Sequence, residues 1–87
     1  VRKINLDEAD TKLMKTGVSP SQVDAVMRKV SEQLGETWQC SRYSGIWHFF
    51  HKDENGKVIK NVPSRRRNFT QALSDATEAS IVIAISL

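Results

Sequence analysis

Residues 45–69 read G-I-W-H-F-F-H-K-D-E-N-G-K-V-I-K-N-V-P-S-R-R-R-N-F. Ile46 to Lys52 is a run of strand-forming residues, and Lys57 to Val62 returns as its partner strand. Between them, Asp53-Glu54-Asn55-Gly56 is a turn, because Asn and Gly tolerate the positive φ that a tight connection demands. Pro63 lacks an N–H and is expected to end the ladder. Upstream, Thr37 to Tyr43 is a third strand-like run, set off by Ser44-Gly45. The expected unit is a three-stranded antiparallel meander.

Side chains alternate across a strand, which assigns faces. Trp47, Phe49 and His51 share one face of the middle strand, and Ile46, His48, Phe50 and Lys52 share the other. On the third strand Val58, Lys60 and Val62 oppose Lys57, Ile59 and Asn61. Both faces of the middle strand thus carry aromatic rings, while one layer of helices covers only one. Either helices wrap both sides, or one face presents aromatics and lysines to a partner.

The flanks read as helices. In residues 5–16, Asn5 is placed as a cap with Glu8 three residues on. Leu6, Ala9 and Leu13 recur on one side, and Gly17 closes the segment. The next helix has Ser19 as N-cap, Pro20 at its first position and Gln22 completing a capping box; Val18 and Val23 are spaced for a hydrophobic staple. Val23, Val26, Met27, Val30 and Leu34 form its apolar stripe, and Gly35 terminates it. The last helix starts near Asn68, with Gln71 three residues later. The spacing of Phe69, Leu73, Ala76, Ser80, Ile83 and Leu87 carries it to residue 87. Against this, Ile81-Val82-Ile83-Ala84-Ile85 is β-branched and apolar on every side, which also suits a buried strand. The expected fold is α+β: two N-terminal helices, the meander, and a C-terminal helix packed on the sheet, as one domain over residues 1–87.

The 87 residues are 39% hydrophobic and 26% charged, the balance of a globular chain with one modest core. Cys40 is the only cysteine, which excludes an internal disulfide and fits a reducing, cytoplasmic setting. No signal peptide is apparent, and the apolar run from Ile81 is shorter than the ~20 residues of a membrane span. The net charge of +3 is unevenly placed. Residues 1–36 balance six basic with six acidic groups, residues 37–67 carry seven basic against two acidic, and residues 68–87 carry two acidic alone. That concentration of positive charge favours a polyanionic partner.

Few residues are arranged for catalysis. Cys40, His48 and His51 lie close in sequence, yet His48 and His51 fall on opposite faces of a strand, so no metal site is expected. Asp53 and Glu54 sit in a turn, where acidic residues serve local hydrogen bonds. Phosphate-cradling glycine loops are absent. An enzyme is not expected, and no cofactor is implied. The cations are the stronger signal. Arg65, Arg66 and Arg67 precede a helix N-terminus whose N–H groups favour anions, and their guanidinium forks match phosphate oxygens. Lys52, Lys57 and Lys60 lie on the adjoining hairpin, and Arg42 on the first strand extends the patch.

G-I-W-H-F-F-H-K-D-E-N-G-K-V followed by N-F-T-Q-A-L-S-D-A resembles the AP2-like DNA-binding module at the start of phage integrases. There a G-x-W strand, a D-x-x-G-K turn and a further strand precede an F-x-T helix rich in alanine. The resemblance covers residues 45–79; this chain has F-T in place of F-x-T, and no recombinase domain follows. Because that family reads DNA with its three-stranded sheet, the resemblance implicates Arg42, Trp47, His51, Lys57 and Lys60. The helix–sheet–helix order is also similar to a double-stranded-RNA-binding domain, although that family's lysine pair does not align with Arg65 to Ala72.

The reading that follows is a small nucleic-acid-binding module, DNA ahead of RNA, acting through the basic hairpin and the arginine run. The alternative is a protein-binding or inhibitory module of the kind mobile elements encode, using exposed aromatics and the apolar C-terminus. Ile81, Val82 and Ile85 need cover, for which a homodimer contact is the expected source.

Overall fold

The computed structural model describes residues 2–8 and 20–84. Strand β1 (Arg2–Asp7) comes first, then helix α1 (Pro20–Leu34). Strands β2 (Thr37–Tyr43), β3 (Ile46–Lys52) and β4 (Val58–Ser64) follow, then helix α2 (Phe69–Thr77) and strand β5 (Ala79–Ala84). The strands form two sheets. One is the antiparallel meander β2-β3-β4, and the other is a parallel pair of β1 with β5.

The expected arrangement of two N-terminal helices, one sheet and a helix running to residue 87 is therefore overturned at both ends. Asn5 and Leu6, read as a helix start, lie in a strand whose alternation buries Ile4 and Leu6 and exposes Lys3, Asn5 and Asp7. Ala9, Leu13 and Gly17 of that expected helix lie outside the described residues, as do Val18, Ser19, Ile85 and Leu87. At the other end, α2 stops at Thr77. Glu78 takes a left-handed conformation (φ 54°), its N–H donates to Ser74 O, and the chain leaves as β5. The register then runs from Arg2 opposite Ala79 to Asp7 opposite Ala84, with Ile4 beside Ile81 and Leu6 beside Ile83. β-Branched residues lose side-chain freedom in a helix and pack well on a pleated surface. Pairing with β1 therefore settles the ambiguity of the Ile81 run in favour of strand.

Within the meander the connections are specified locally. Ser44 (φ 51°) and Gly45 (φ 77°) both adopt positive φ, the requirement of a two-residue hairpin turn whose twist matches its strands. They set Tyr43 opposite Ile46 and fix the pairing of Cys40 with Phe49 and Trp38 with His51. At the β3–β4 turn, Asp53 Oδ1 accepts from the N–H groups of Asn55 and Lys57, both at 2.9 Å. Of the turn residues only Gly56 has positive φ. The ladder continues through Pro63, opposite His48, to Ser64, opposite Trp47. It was expected to end at Pro63, but β4 is an edge strand, and on an edge the missing N–H leaves no inner bond unmade.

The core joins all layers. Ile4 and Leu6 of β1 meet Val23, Val26, Met27 and Val30 of α1, Trp38 and Cys40 of β2, Trp47 and Phe49 of β3, and Phe69, Ala72, Leu73 and Ala76 of α2. Phe69 is the hinge of this cluster, its ring 5.0 Å from Trp47 and 5.8 Å from Phe49. Asn68 caps α2 by accepting from the Thr70 N–H at 2.9 Å. Gly35 (φ 68°) closes α1, its N–H donating to Ser31 O. α1 packs on β2 and β1, and α2 packs on β3, β4 and β5.

Two substitutions test this architecture. Ile4 is fully buried, so Ile4→Ala should lower the unfolding free energy by about 2–5 kcal/mol, read from denaturant midpoints; a change near zero would mean β1 is not part of the fold. Glu78→Gly relieves a left-handed side chain and should raise stability by about 0.5–1 kcal/mol, read as a higher melting temperature.

Candidate nucleic-acid interface

The two faces of the meander differ in kind. The inner face carries Trp38, Cys40, Trp47 and Phe49, all buried beneath the helices. The outer face carries Gln39, Ser41 and Tyr43 of β2, Ile46, His48, Phe50 and Lys52 of β3, and Asn61 and Pro63 of β4. Among the described residues, no helix packs on it. Its rings form a continuous row. Tyr43 meets His48 edge-on with centroids 5.3 Å apart, and His48 stacks on Phe50 at 6.3 Å with an interplanar angle of 15°. Tyr43 is 58% exposed, while His48 and Phe50 are half-buried.

The expected site residues divide between these surfaces. Trp47 is 5% exposed and belongs to the core, so its indole has no face to offer a base. His51 lies on the inner side, stacked on Trp38 at 4.9 Å. Arg42 places its guanidinium 5.0 Å from the centre of the Trp47 ring, which shields that indole at the end of the sheet. Lys60 pairs in register with His51, and Lys52 pairs with Val58 across a bulge. Lys57 is exposed at the turn.

The cations fall into two groups rather than one patch. Cross-strand neighbours Arg42, Trp47 and Ser64 form a row, so Arg42 lies about 10 Å from the residue that precedes Arg65. Lys60 lies about 13 Å from Ser64 along β4, and Lys52 and Lys57 flank the β3–β4 turn, about 15–25 Å from the Arg42–Trp47–Ser64 row. Within the arginine run, Arg66 is committed locally: its Nε binds Asp75 Oδ2 at 2.9 Å, and its N–H donates to Ser64 Oγ at 3.3 Å. Arg65 and Arg67 are exposed and have no acidic partner among the described residues. Arg42 and Lys60 share the inner-face register with Trp47 and His51, whereas the row of rings is on the outer face, with Lys52 toward one end of it and Ser64, which precedes Arg65, toward the other.

Tyr43, His48 and Phe50 were not among the expected site residues, although the signal was present. The two-residue turn fixes the register, and in that register Trp38 and Cys40 stand beside Phe49 and Trp47, whereas Gln39 and Ser41 stand beside Phe50 and His48. The face with apolar neighbours is the one helices cover. Cys40 is inert in this setting, since burial, helped by Asp24, pushes its thiol up to about 12. Among the described residues, no group of three or more His, Cys, Asp and Glu side chains is placed to hold a metal ion. No described helix is long and apolar enough to cross a membrane.

Glu36 knits the two sheets at the end of the meander remote from the arginines. Its Oε2 accepts from the Trp38 indole N–H at 3.0 Å and its Oε1 from Arg2 at 2.8 Å. Arg2 also donates to the Thr77 carbonyl that ends α2. The Trp38 hydrogen bond first, and the Arg2 bond second, hold the Glu36 carboxyl below the ordinary glutamate value. A lowered folded value means the stabilisation is complete above the unfolded value of about 4.3 and is lost as pH falls through the folded one. Acid titration of stability should therefore show a loss below about pH 4.3 that is smaller in Glu36→Gln; identical slopes would remove Glu36 from the account.

No protein-family model matches this chain, and neither a curated protein nor a solved structure matches it.

Proposed function

We propose that the protein binds single-stranded nucleic acid, DNA ahead of RNA, on the outer face of the β2-β3-β4 meander. The observation that carries this reading is the uncovered row Tyr43–His48–Phe50, with Lys52 and Lys57 toward one end and the exposed Arg65 and Arg67 toward the other. Aromatic rings on an open sheet stack with unpaired bases of any sequence, and cations on either side track the phosphates. A duplex keeps its base faces stacked inside, so the rings have less to bind there. Arg66 contributes by position: its ion pair with Asp75 braces the loop on which Arg65 and Arg67 stand.

The test is a salt titration with single- and double-stranded oligonucleotides of DNA and RNA. Tyr43→Ala with Phe50→Ala should weaken single-strand binding by about tenfold or more, since each stacked base contributes ~1–3 kcal/mol. Tyr43 is exposed and its loss should change the melting temperature little, whereas loss of half-buried Phe50 should lower it, so binding is compared at a temperature where circular dichroism shows the variant folded. Arg65→Ala with Arg67→Ala should leave the folding intact and reduce the log–log salt slope by about 0.7 for each phosphate that is no longer neutralised. Binding that ignores salt, or that survives loss of both rings unchanged, would defeat the reading.

A further inference from the structure

Each sheet has two edges, and an unpaired edge is a template for another strand unless something blunts it. Three of the four edges among the described residues are blunted by an identifiable device. Along β1, the Gln33 side-chain amide imitates a neighbouring strand, its Oε1 accepting from the Asn5 N–H at 2.7 Å and its Nε2 donating to the Asn5 carbonyl at 2.8 Å. Along β2, Ser31 Oγ accepts from the Trp38 N–H at 2.9 Å and lies 3.2 Å from the Trp38 carbonyl. β4 carries Pro63, with no N–H, and the exposed Lys60. β5 has such a contact only at its first residue, where Ser74 Oγ donates to the Ala79 carbonyl, and none from Ile81 to Ile83 among the described residues. Its six residues, Ala-Ser-Ile-Val-Ile-Ala, hold no charge and no proline, and Val82 and Ile83 are 41% and 46% exposed.

The direction of the unpaired groups follows from the other edge. Since the Asn5 backbone turns to Gln33, the backbone groups of Ile4 and Leu6 turn to β5. In a parallel ladder each such residue bonds the two neighbours of its register partner, here Ser80 and Val82 for Ile4 opposite Ile81. Ile81 and Ile83 therefore aim their N–H and C=O groups away from β1. Ala79 points the same way, and its carbonyl accepts from Ser74 Oγ at 2.6 Å.

We propose that the free edge of β5 pairs antiparallel with β5 of a second copy, joining two β1/β5 ribbons into one four-stranded sheet across a two-fold axis at Ile81. The strand fits itself. In that register Ile81 faces Ile81 as a hydrogen-bonded pair, Ala79 faces Ile83 and Ser80 faces Val82, with core-side residues on one side throughout. A charged strand meeting its own copy risks like charges side by side, whereas this one brings none. Isologous contacts of this kind close on themselves and do not propagate. The meander's outer face belongs to the other sheet and stays uncovered.

Sedimentation of the full chain from about 10 µM to about 1 mM, a span that brackets the dissociation constant of a small interface, should show conversion from monomer to dimer. Ile83→Pro removes an outward N–H while sparing the ladder to β1. It should weaken the dimer by about tenfold or more, with two symmetric bonds removed, and preserve the circular dichroism spectrum. Hydrogen exchange on the unmutated chain gives a second reading that needs no variant. The Ile81 and Ile83 amides should gain protection as concentration rises, while the Val82 amide, bonded within the ribbon, is protected throughout. A monomeric mass at the highest concentration, a dimer unaffected by Ile83→Pro, or exchange at Ile81 and Ile83 independent of concentration would each overturn the proposal.

Discussion

Arg2 and Ala79 stand side by side, though almost the whole chain separates them in sequence. The parallel pairing they begin is what the remaining elements accommodate. It buries Ile4 and Leu6 against α1, requires α2 to stop at Thr77, and forces Glu78 into a conformation that side chains other than glycine seldom adopt. Arg2 then fastens the junction, reaching the Thr77 carbonyl on one side and the Glu36 carboxylate on the other. Closing a loop of that length costs conformational entropy, and the meander and helices shorten the path between the two strands.

This non-local constraint explains which parts of the fold were legible in the sequence. The β2 and β3 boundaries and the α1 stripe follow from short-range signals: alternation, turn chemistry at Ser44-Gly45 and Asp53–Gly56, and helical spacing of Val23, Val26, Met27 and Val30. Residues 2–7 alternate and residues 79–84 are a β-branched apolar run, but each segment alone also fits a helical period. Only the presence of the other decides, and no window that spans one of them contains its partner. The Pro63 reading failed for a related reason, because whether a strand is central or at an edge is a property of the sheet.

The surface was legible to a similar depth. The excess of positive charge between residues 37 and 67 is a matter of counting. Its division between the β3–β4 turn and the opposite end of the meander is a matter of strand length. Trp47 and His51 entered the expected site by position on the sheet, through the resemblance to a sheet-reading family. Their cross-strand neighbours Arg42 and Trp38 show what they do instead: one indole is held in the core beneath a guanidinium, and one imidazole lies flat on another indole. Half of an alternating strand supplies the core, and the other half, His48 and Phe50, turns to the face that no described helix covers.

Ser31 and Gln33 give α1 a second role beyond packing. They are polar and lie on turns of the helix where polarity would pass as decoration, yet they occupy the edges of two different sheets. One helix face thus does for two strands what a further strand would do for each: it occupies the backbone groups of Asn5 and Trp38 that would otherwise be open to pairing. A change at either polar position would therefore act on a sheet edge and not on the helix that carries it.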